Sequence, residues 1–560
     1  MVERFKRLFS GGSDNLQQVA FLLAVSALFS QILALVRDKI FAHLFGTGPT
    51  LDVYYAAFKV PDFLFVTIAS LVSMTVLIPY FTREYAKDKE GARIFLDSVF
   101  TVFFWLLIAS ALISYFMIPK LAGLVTPGFS VAQRLEYIHL SRILLLSPFF
   151  LGLSGHIASI SQSFKKFFAY ALSPVLYNVG IIVGALLLYS RMGSAGLAWG
   201  VILGAFLHFA IQWPTVSRTG YAPHLISRIA WARVREVFIV SIPRTITLGT
   251  AQLSGLVLTS LASLLAVGSI TVYNFSLNLQ SVPLSIIGVS FSMAAFPTLS
   301  ALFSAGENNK FSNQMKQAAG QIIFWSLPVT ALFIVLRAQI VRVILGSGNF
   351  DWTATRLVAA SLALFAISLV AQCLVLLFVR GYYASGSTKT PLYSNVISAI
   401  CIVLFAPLLV YVYRHFDTFK FFINFLLRVD DVPGTEVLML PLAYTLGLFI
   451  NLYLHWSHFA RKFGFLSLRD RVVRHSFFSA VLSGFVAYEA LNFFDKLVDI
   501  NTLPGIFLQG LLAGILGILS GFFLLVILKN EELRAIISAL RGRFWSVRPI
   551  LPPPEEKPQL

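Results

Sequence analysis

Charge and cysteine are what this 560-residue sequence lacks. Only 12% of its residues are Asp, Glu, Lys or Arg, about half the share of a soluble domain. Its two cysteines, Cys373 and Cys401, lie in apolar runs, which excludes a disulfide framework or a cysteine-built metal site. Nine histidines are scattered along the chain, none at metal-ligand spacing. No Gly-x4-Gly-Lys-Ser/Thr loop occurs, so ATP is not bound by that route. No paired acid and base marks a catalytic centre. The expectation is a transporter rather than an enzyme, with no cofactor and no metal. Acidic residues are scarce too, 25 against 43 Lys and Arg, for a net charge of +18. In a soluble chain that excess points to nucleic acid, but no nucleic-acid-binding motif accompanies it. The basic residues are read instead as cytoplasmic-loop charge of a membrane protein.

What the chain has is apolar length. It is 57% hydrophobic with 53 Phe, and its mean hydropathy is +0.80. The fold class expected is an all-α polytopic membrane protein with about 14 transmembrane helices. They fall near 17–45, 51–80, 94–118, 135–162, 168–190, 194–216, 236–265, 269–300, 316–337, 354–383, 389–413, 436–459, 475–494 and 503–528. Basic residues recur on alternate loops. Arg83, Lys87, Lys89 and Arg93 follow the second helix, and Arg461, Lys462, Arg469, Arg471 and Arg474 follow the twelfth. The turns near Gly46 and Gly268 carry none. Both termini are therefore expected to be cytoplasmic.

The chain also repeats itself. Ser173-Pro174-Val-Leu-Tyr-Asn178 recurs as Thr390-Pro391-Leu-Tyr-Ser-Asn395, Ile78-Pro79 as Phe296-Pro297, and Val53-Tyr54 as Val272-Tyr273. A direct repeat of six helices predicts two lobes with a substrate site between them at mid-membrane. The expected units are a lobe at 1–230, a second lobe at 231–465, two added helices at 466–530 and a cytoplasmic basic, proline-rich tail at 531–560. Prolines inside the long helices, among them Pro61, Pro79 and Pro297, are expected to bend them.

The stretch from Arg37 to Pro61 concentrates the charge that the apolar runs otherwise lack. Ionisable residues are costly in a bilayer and usually face a cavity or a partner. Arg37, Asp38, Asp52 and Lys59 are read as the polar lining of a transport path, joined by Arg244 and Asn278 from the second lobe. Adjacent residues point about 100° apart on a helix, so Arg37 and Asp38 are not expected to face each other. For Asp52, at the start of its helix, the bland alternative is an N-terminal cap. For Lys59 it is snorkelling to headgroups.

These residues also carry a resemblance. Ser30-Gln31-Ile-Leu-Ala-Leu-Val-Arg37-Asp38, then Phe45-Gly46-Thr47-Gly48 through Asp52, then Ala57-Phe58-Lys59-Val60-Pro61 resemble the opening of the lipid II flippase family (MurJ, also called MviN). Thr126-Pro127-Gly128-Phe129, Gly196-Leu-Ala-Trp199-Gly200 and Ile242-Pro243-Arg244 agree with it. The resemblance implies a fold of the multidrug/oligosaccharidyl-lipid/polysaccharide exporter type. It implies transport of the undecaprenyl-pyrophosphate-linked peptidoglycan precursor from the inner to the outer leaflet of the bacterial inner membrane. Its implied partners are that precursor, membrane lipids and cell-wall synthesis proteins. The resemblance further implies a cationic cavity that receives the pyrophosphate and a groove for the lipid tail formed by the added helices, about 475–528 here. The chain has Gln31 where the family often has Arg, and Asn278 lies where the family has Asp-Arg, so a less positive cavity is expected. The alternative cargo is another polyprenyl-pyrophosphate-linked glycan or a small molecule.

Overall fold

The structure, a computed structural model, describes residues 16–72, 74–464, 471–499, 502–534 and 537–538. The basic N-terminus, Arg469 and most of the 531–560 tail lie outside the described residues. Every regular element among those described is helical.

The first half runs α1 (Leu16–Phe45), α2 (Pro49–Ala57), α3 (Lys59–Ala69), α4 (Met74–Lys87), α5 (Lys89–Val125), α6 (Val131–Leu144), α7 (Leu146–Ser163), α8 (Phe168–Val183) and α9 (Ser194–Ala210). The second runs α10 (Trp231–Ser263), α11 (Ser269–Pro283), α12 (Ser290–Ser304), α13 (Asn308–Val335), α14 (Arg337–Leu345), α15 (Trp352–Ile367), α16 (Leu369–Ala384), α17 (Lys389–His415), α18 (Asp417–Leu427) and α19 (Met439–Phe463). Then come α20 (Arg471–Phe494) and α21 (Leu503–Ile527). Among the described residues 12 helical stretches are long and apolar enough to span a bilayer, or 13 if the pair α15–α16, bent by 44°, is one span. The chain is a multi-span membrane protein. Beside these lies α1, 30 residues long, whose only Asp, Glu, Lys or Arg residues are Arg37, Asp38 and Lys39.

Single helices were expected at 51–80 and 135–162, and both are interrupted. The first breaks at Phe58 and again in a short 3-10 turn, Ser70–Val72. Pro61 sits in the first turn of α3, where its missing N–H leaves no helical bond unmade. The second breaks at Leu145, with Pro148 in the first turn of α7. Caps fix other starts. The Asp88 carboxylate accepts from the N–H groups of Glu90 and Gly91, and Ser130 with Gln133 closes a capping box on α6.

Packing follows small residues. Gly180 of α8 stands against Gly204, and Gly184, in the helical segment that follows α8, against Gly200, which lets these backbones nearly touch that of α9. Gly517 and Gly521 of α21 lie on Ser483 and Ser479 of α20 in the same way. This final pair flanks α13. One end of the bundle carries the turns at Gly46–Gly48 and Gly268 and is called the turn end below. The other carries Arg83, Arg93 and Arg233 and is called the basic end.

Candidate functional site

At the turn end the two halves are hydrogen-bonded across a seam. Asp52 lies in the first turn of α2, yet its carboxylate caps a helix of the other half. It accepts from Gly268 N–H (2.6 Å), Thr271 N–H (2.8 Å) and the Thr271 hydroxyl (2.7 Å), at the start of α11. A carboxylate suits that position because it meets unpaired N–H groups and the positive end of the helix dipole. Asp52 is 4% exposed, so the structure puts it in the seam rather than on a cavity wall. Lys39 does the converse. Its Nζ donates to the carbonyl of Val343 (3.0 Å) at the end of α14, where unpaired carbonyls favour a cation. Asn349 adds two bonds: its N–H donates to His43 O and its side chain to Leu44 O. Gly128 N–H donates to Ser263 Oγ, and Ser260 Oγ to Leu124 O.

Deeper in the bundle a second group of charges spans the halves. Arg37 lies eight residues before the end of α1, about 12 Å below the turn at 1.5 Å per residue. Its Nε and Nη2 both donate to Asp38 Oδ1, at 2.9 and 2.8 Å. The expectation that these neighbours do not face each other fails here. The long guanidinium side chain curls around the helix to the nearest carboxylate, because an unpaired charge in this setting costs more than the bend. Arg37 Nη1 also donates to Asn178 Oδ1 on α8 (3.3 Å). From the other half, Asn278 Nδ2 on α11 donates to Asp38 Oδ2 (3.0 Å). Asn178, Arg37, Asp38 and Asn278 thus form one chain of contacts from α8 through α1 to α11. The Arg37 side chain keeps 19% of its surface exposed and Asp38 only 3%.

Lys59 and Asp62 are half-buried in the first turn of α3. Among the described residues neither side chain has a hydrogen bond or salt bridge, so the Lys59–Asp62 pairing that their spacing allows is not closed. Among the described residues the buried Tyr55 hydroxyl has no hydrogen-bond partner. Arg244 falls within α10, but its side chain lies outside the described residues. Asn178 carries no charge, and sequence reasoning did not place it in the site. The signal was present, since Asn178 ends the repeated motif whose second copy ends at Asn395. Thr271 had no such signal, and Lys39 had only the charge it shares with Arg37 and Asp38 in an apolar run. Among the described residues no group of three or more His, Cys, Asp or Glu is placed to hold a metal.

At the basic end, α10 leans on the first half. Arg233 pairs with Glu84 (3.2 Å) and Arg83 with Glu236 (3.5 Å). The Ser70 and Thr245 hydroxyls meet at 2.7 Å. Beside the second half lies an apolar groove of about 840 Å³ lined by Leu374, Trp456, Phe477 and Phe478, with Arg474 at its edge. It is formed where α20 meets α13, α16 and α19.

A sequence model described as lipid II flippase MurJ matches residues 41–510. The chain belongs to the MurJ lipid II flippase family. A probable lipid II flippase MurJ of Rhizobium meliloti is 26% identical over 376 residues, 66% of this chain and 70% of its own length. One from Rickettsia prowazekii is 29% identical over 383 residues, 68% and 75%. A solved structure described as lipid II flippase MurJ in an inward closed conformation aligns with a TM-score of 0.72 at 21% identity. It covers 92% of this chain and all of that one. An inward-facing MATE-family multidrug transporter aligns at 0.60 and 16% identity, covering 78% and 98%. Both structures share the fold of this chain. MurJ proteins are transporters, so the site of this MurJ-family member is read for binding and movement rather than for catalysis.

Proposed function

We propose that this chain flips lipid II, the undecaprenyl-pyrophosphate-linked peptidoglycan precursor, from the inner to the outer leaflet of the bacterial inner membrane by alternating access. The observation that carries the reading is the Arg37–Asp38 pair, held between Asn178 and Asn278 at the junction of the two halves. Residues 1–230 and 231–465 act as the two lobes, and 466–530 as an added pair beside them. Basic loops set the basic end, and with it both termini, in the cytoplasm. The turn-end seam is then the closed outer gate, and loading is from the cytoplasmic side.

A pyrophosphate arriving between the lobes needs cations in a low-dielectric setting. Lys59, one turn from Asp62, closes no salt bridge among the described residues and is available to the pyrophosphate. Arg37 is neutralised in advance by Asp38, which keeps the empty site from holding a lone buried charge. The anion competes with Asp38 for the guanidinium, while Asn278 continues to hold the displaced carboxylate. Because Asn278 stands on α11, that exchange alters a contact between the lobes. The same helix is capped by Asp52 at the outer seam, so α11 links cargo to gate. The apolar groove beside α20 receives the polyprenyl tail, and cell-wall synthesis proteins take up the product.

The test is flipping in vesicles holding purified protein. Arg37→Ala should reduce lipid II transport at least tenfold while leaving the melting temperature within a few degrees. Wild-type transport by that variant would remove the assignment. The sparser cations, with Gln31 and Asn278 at positions where the family carries Arg or Asp-Arg, favour testing a second cargo. Another polyprenyl-pyrophosphate glycan belongs in the same assay, and faster transport of it would replace lipid II.

A further inference from the structure

The segment joining α17 to α19 contains α18, Asp417–Leu427, which has two unlike faces. Its inner face buries Ile423, Asn424 and Leu427. Lys420 and Asn424 on that side line a polar cavity of about 350 Å³ with Arg414, Asp430 and Glu436. Within it Tyr413 donates its hydroxyl to Asn424 Oδ1 (2.8 Å). Its outer face is apolar. Phe421, Phe422 and Phe425 are 66%, 57% and 66% exposed, and Leu426 is 59% exposed. At 100° per residue the four occupy an arc of about 140°, in which Thr418 is the one polar residue. Phe416 extends the patch. A contiguous apolar surface of this kind is not left against water.

The helix is also fastened at both ends. Arg414 pairs with Glu436 (2.7 Å) and Arg356 with Asp431 (2.6 Å), while Arg428 donates to the Tyr488 hydroxyl (3.0 Å) on α20. The patch continues the outward face of α17, a 27-residue span on which Leu404, Leu408 and Tyr411 are exposed. That face is already a lipid surface. We propose that α18 lies in the membrane plane at the turn end, with its phenylalanine face sunk in bilayer lipid. The occupant of this surface is the lipid itself, at the boundary between headgroups and acyl chains. The helix then walls off the polar cavity, with aromatic rings on the lipid side and Lys420 on the wet side. It also holds the following loop at a fixed depth. Pro433 and Gly434 of that loop share a second cavity with Thr47 and Ala266 at the seam, so the membrane positions a part of the gate.

The experiment uses the full chain with Cys373→Ser and Cys401→Ser, reconstituted in phosphatidylcholine and phosphatidylglycerol vesicles. Nitroxide labels are placed singly on cysteine substitutions of Phe421, Phe422, Phe425 and Asp430. Collisions with oxygen and with a water-soluble nickel chelate are compared. Labels at the three Phe positions should favour oxygen several-fold, and the Asp430 label should favour nickel. Nickel preference at the Phe positions would overturn the proposal, and so would low access to both, which means that another protein or a second copy covers the face. The unsubstituted protein is a parallel check against misfolding. In vesicles carrying a photoactivatable phosphatidylcholine, residues 416–427 should acquire lipid adducts, and their absence would count equally against it.

Discussion

Replacing Asp52 by Asn tests whether the turn-end seam is a gate held shut by one carboxylate. The Asp52 carboxylate accepts three hydrogen bonds, two from backbone N–H groups at the start of α11. Asn keeps one acceptor oxygen, which can stay with Thr271. Its amide then turns N–H toward the Gly268 N–H, and that buried donor loses its partner. An unsatisfied buried donor costs about 1–3 kcal/mol, and hydrogen bonds to a charged group are worth about 1 kcal/mol more than neutral ones. The closed state should lose about 3 kcal/mol in sum, which multiplies the open-to-closed ratio by about a hundred. The assay is a distance distribution between spin labels on Val131→Cys and Val267→Cys. Both positions are exposed, lie at the turn end and belong to different halves. The background lacks both native cysteines. Asp52→Asn should add or enlarge a long-distance population, and Thr271→Val should do so more weakly, by about fivefold for a loss near 1 kcal/mol. If Asp52→Asn and Asp52→Ala both left the distribution unchanged in a folded protein, the gate would have to be held elsewhere.

Lys39→Met should loosen the same seam by removing a cation from the end of α14, about 1 kcal/mol or fivefold in that label pair. Lys39→Arg should restore it, and failure of rescue would mean that Lys39 acts through packing alone. Gly184→Ala would bring a methyl 2.5 Å from the Gly200 backbone. It should cost about 1–3 kcal/mol and lower the melting temperature, whereas Gly155→Ala, with open space at that position, should not. The Arg356 guanidinium beside Asp431 holds that carboxyl below its ordinary range. The pair's contribution is therefore present above the ordinary carboxylate pKa and is lost as pH falls through the lowered one. Protection of residues 428–434 against hydrogen exchange, taken relative to the intrinsic rate at each pH, should fall on acidification below about pH 4, and Asp431→Asn should abolish that dependence.

The outline of this protein was readable because a bilayer imposes a length and a polarity on each segment. Apolar runs, their basic loops and the opening motif placed the spans and singled out Arg37, Asp38 and Lys59 as costly residues. The breaks at Phe58 and Leu145 were not readable, since proline near either is equally compatible with a bend in a continuous helix. The partners of the charges were hidden too. Sequence spacing set Arg37 and Asp38 apart around their helix, and a flexible side chain closed that gap. Asp52 had the composition of a cap for its own helix and became the cap of one more than two hundred residues away. Periodicity describes a residue's place on its own helix, and so the sequence by itself determined the membrane class, the spans and the family. Which helix end each charge meets depends on how two halves dock, and that only the tertiary structure decided.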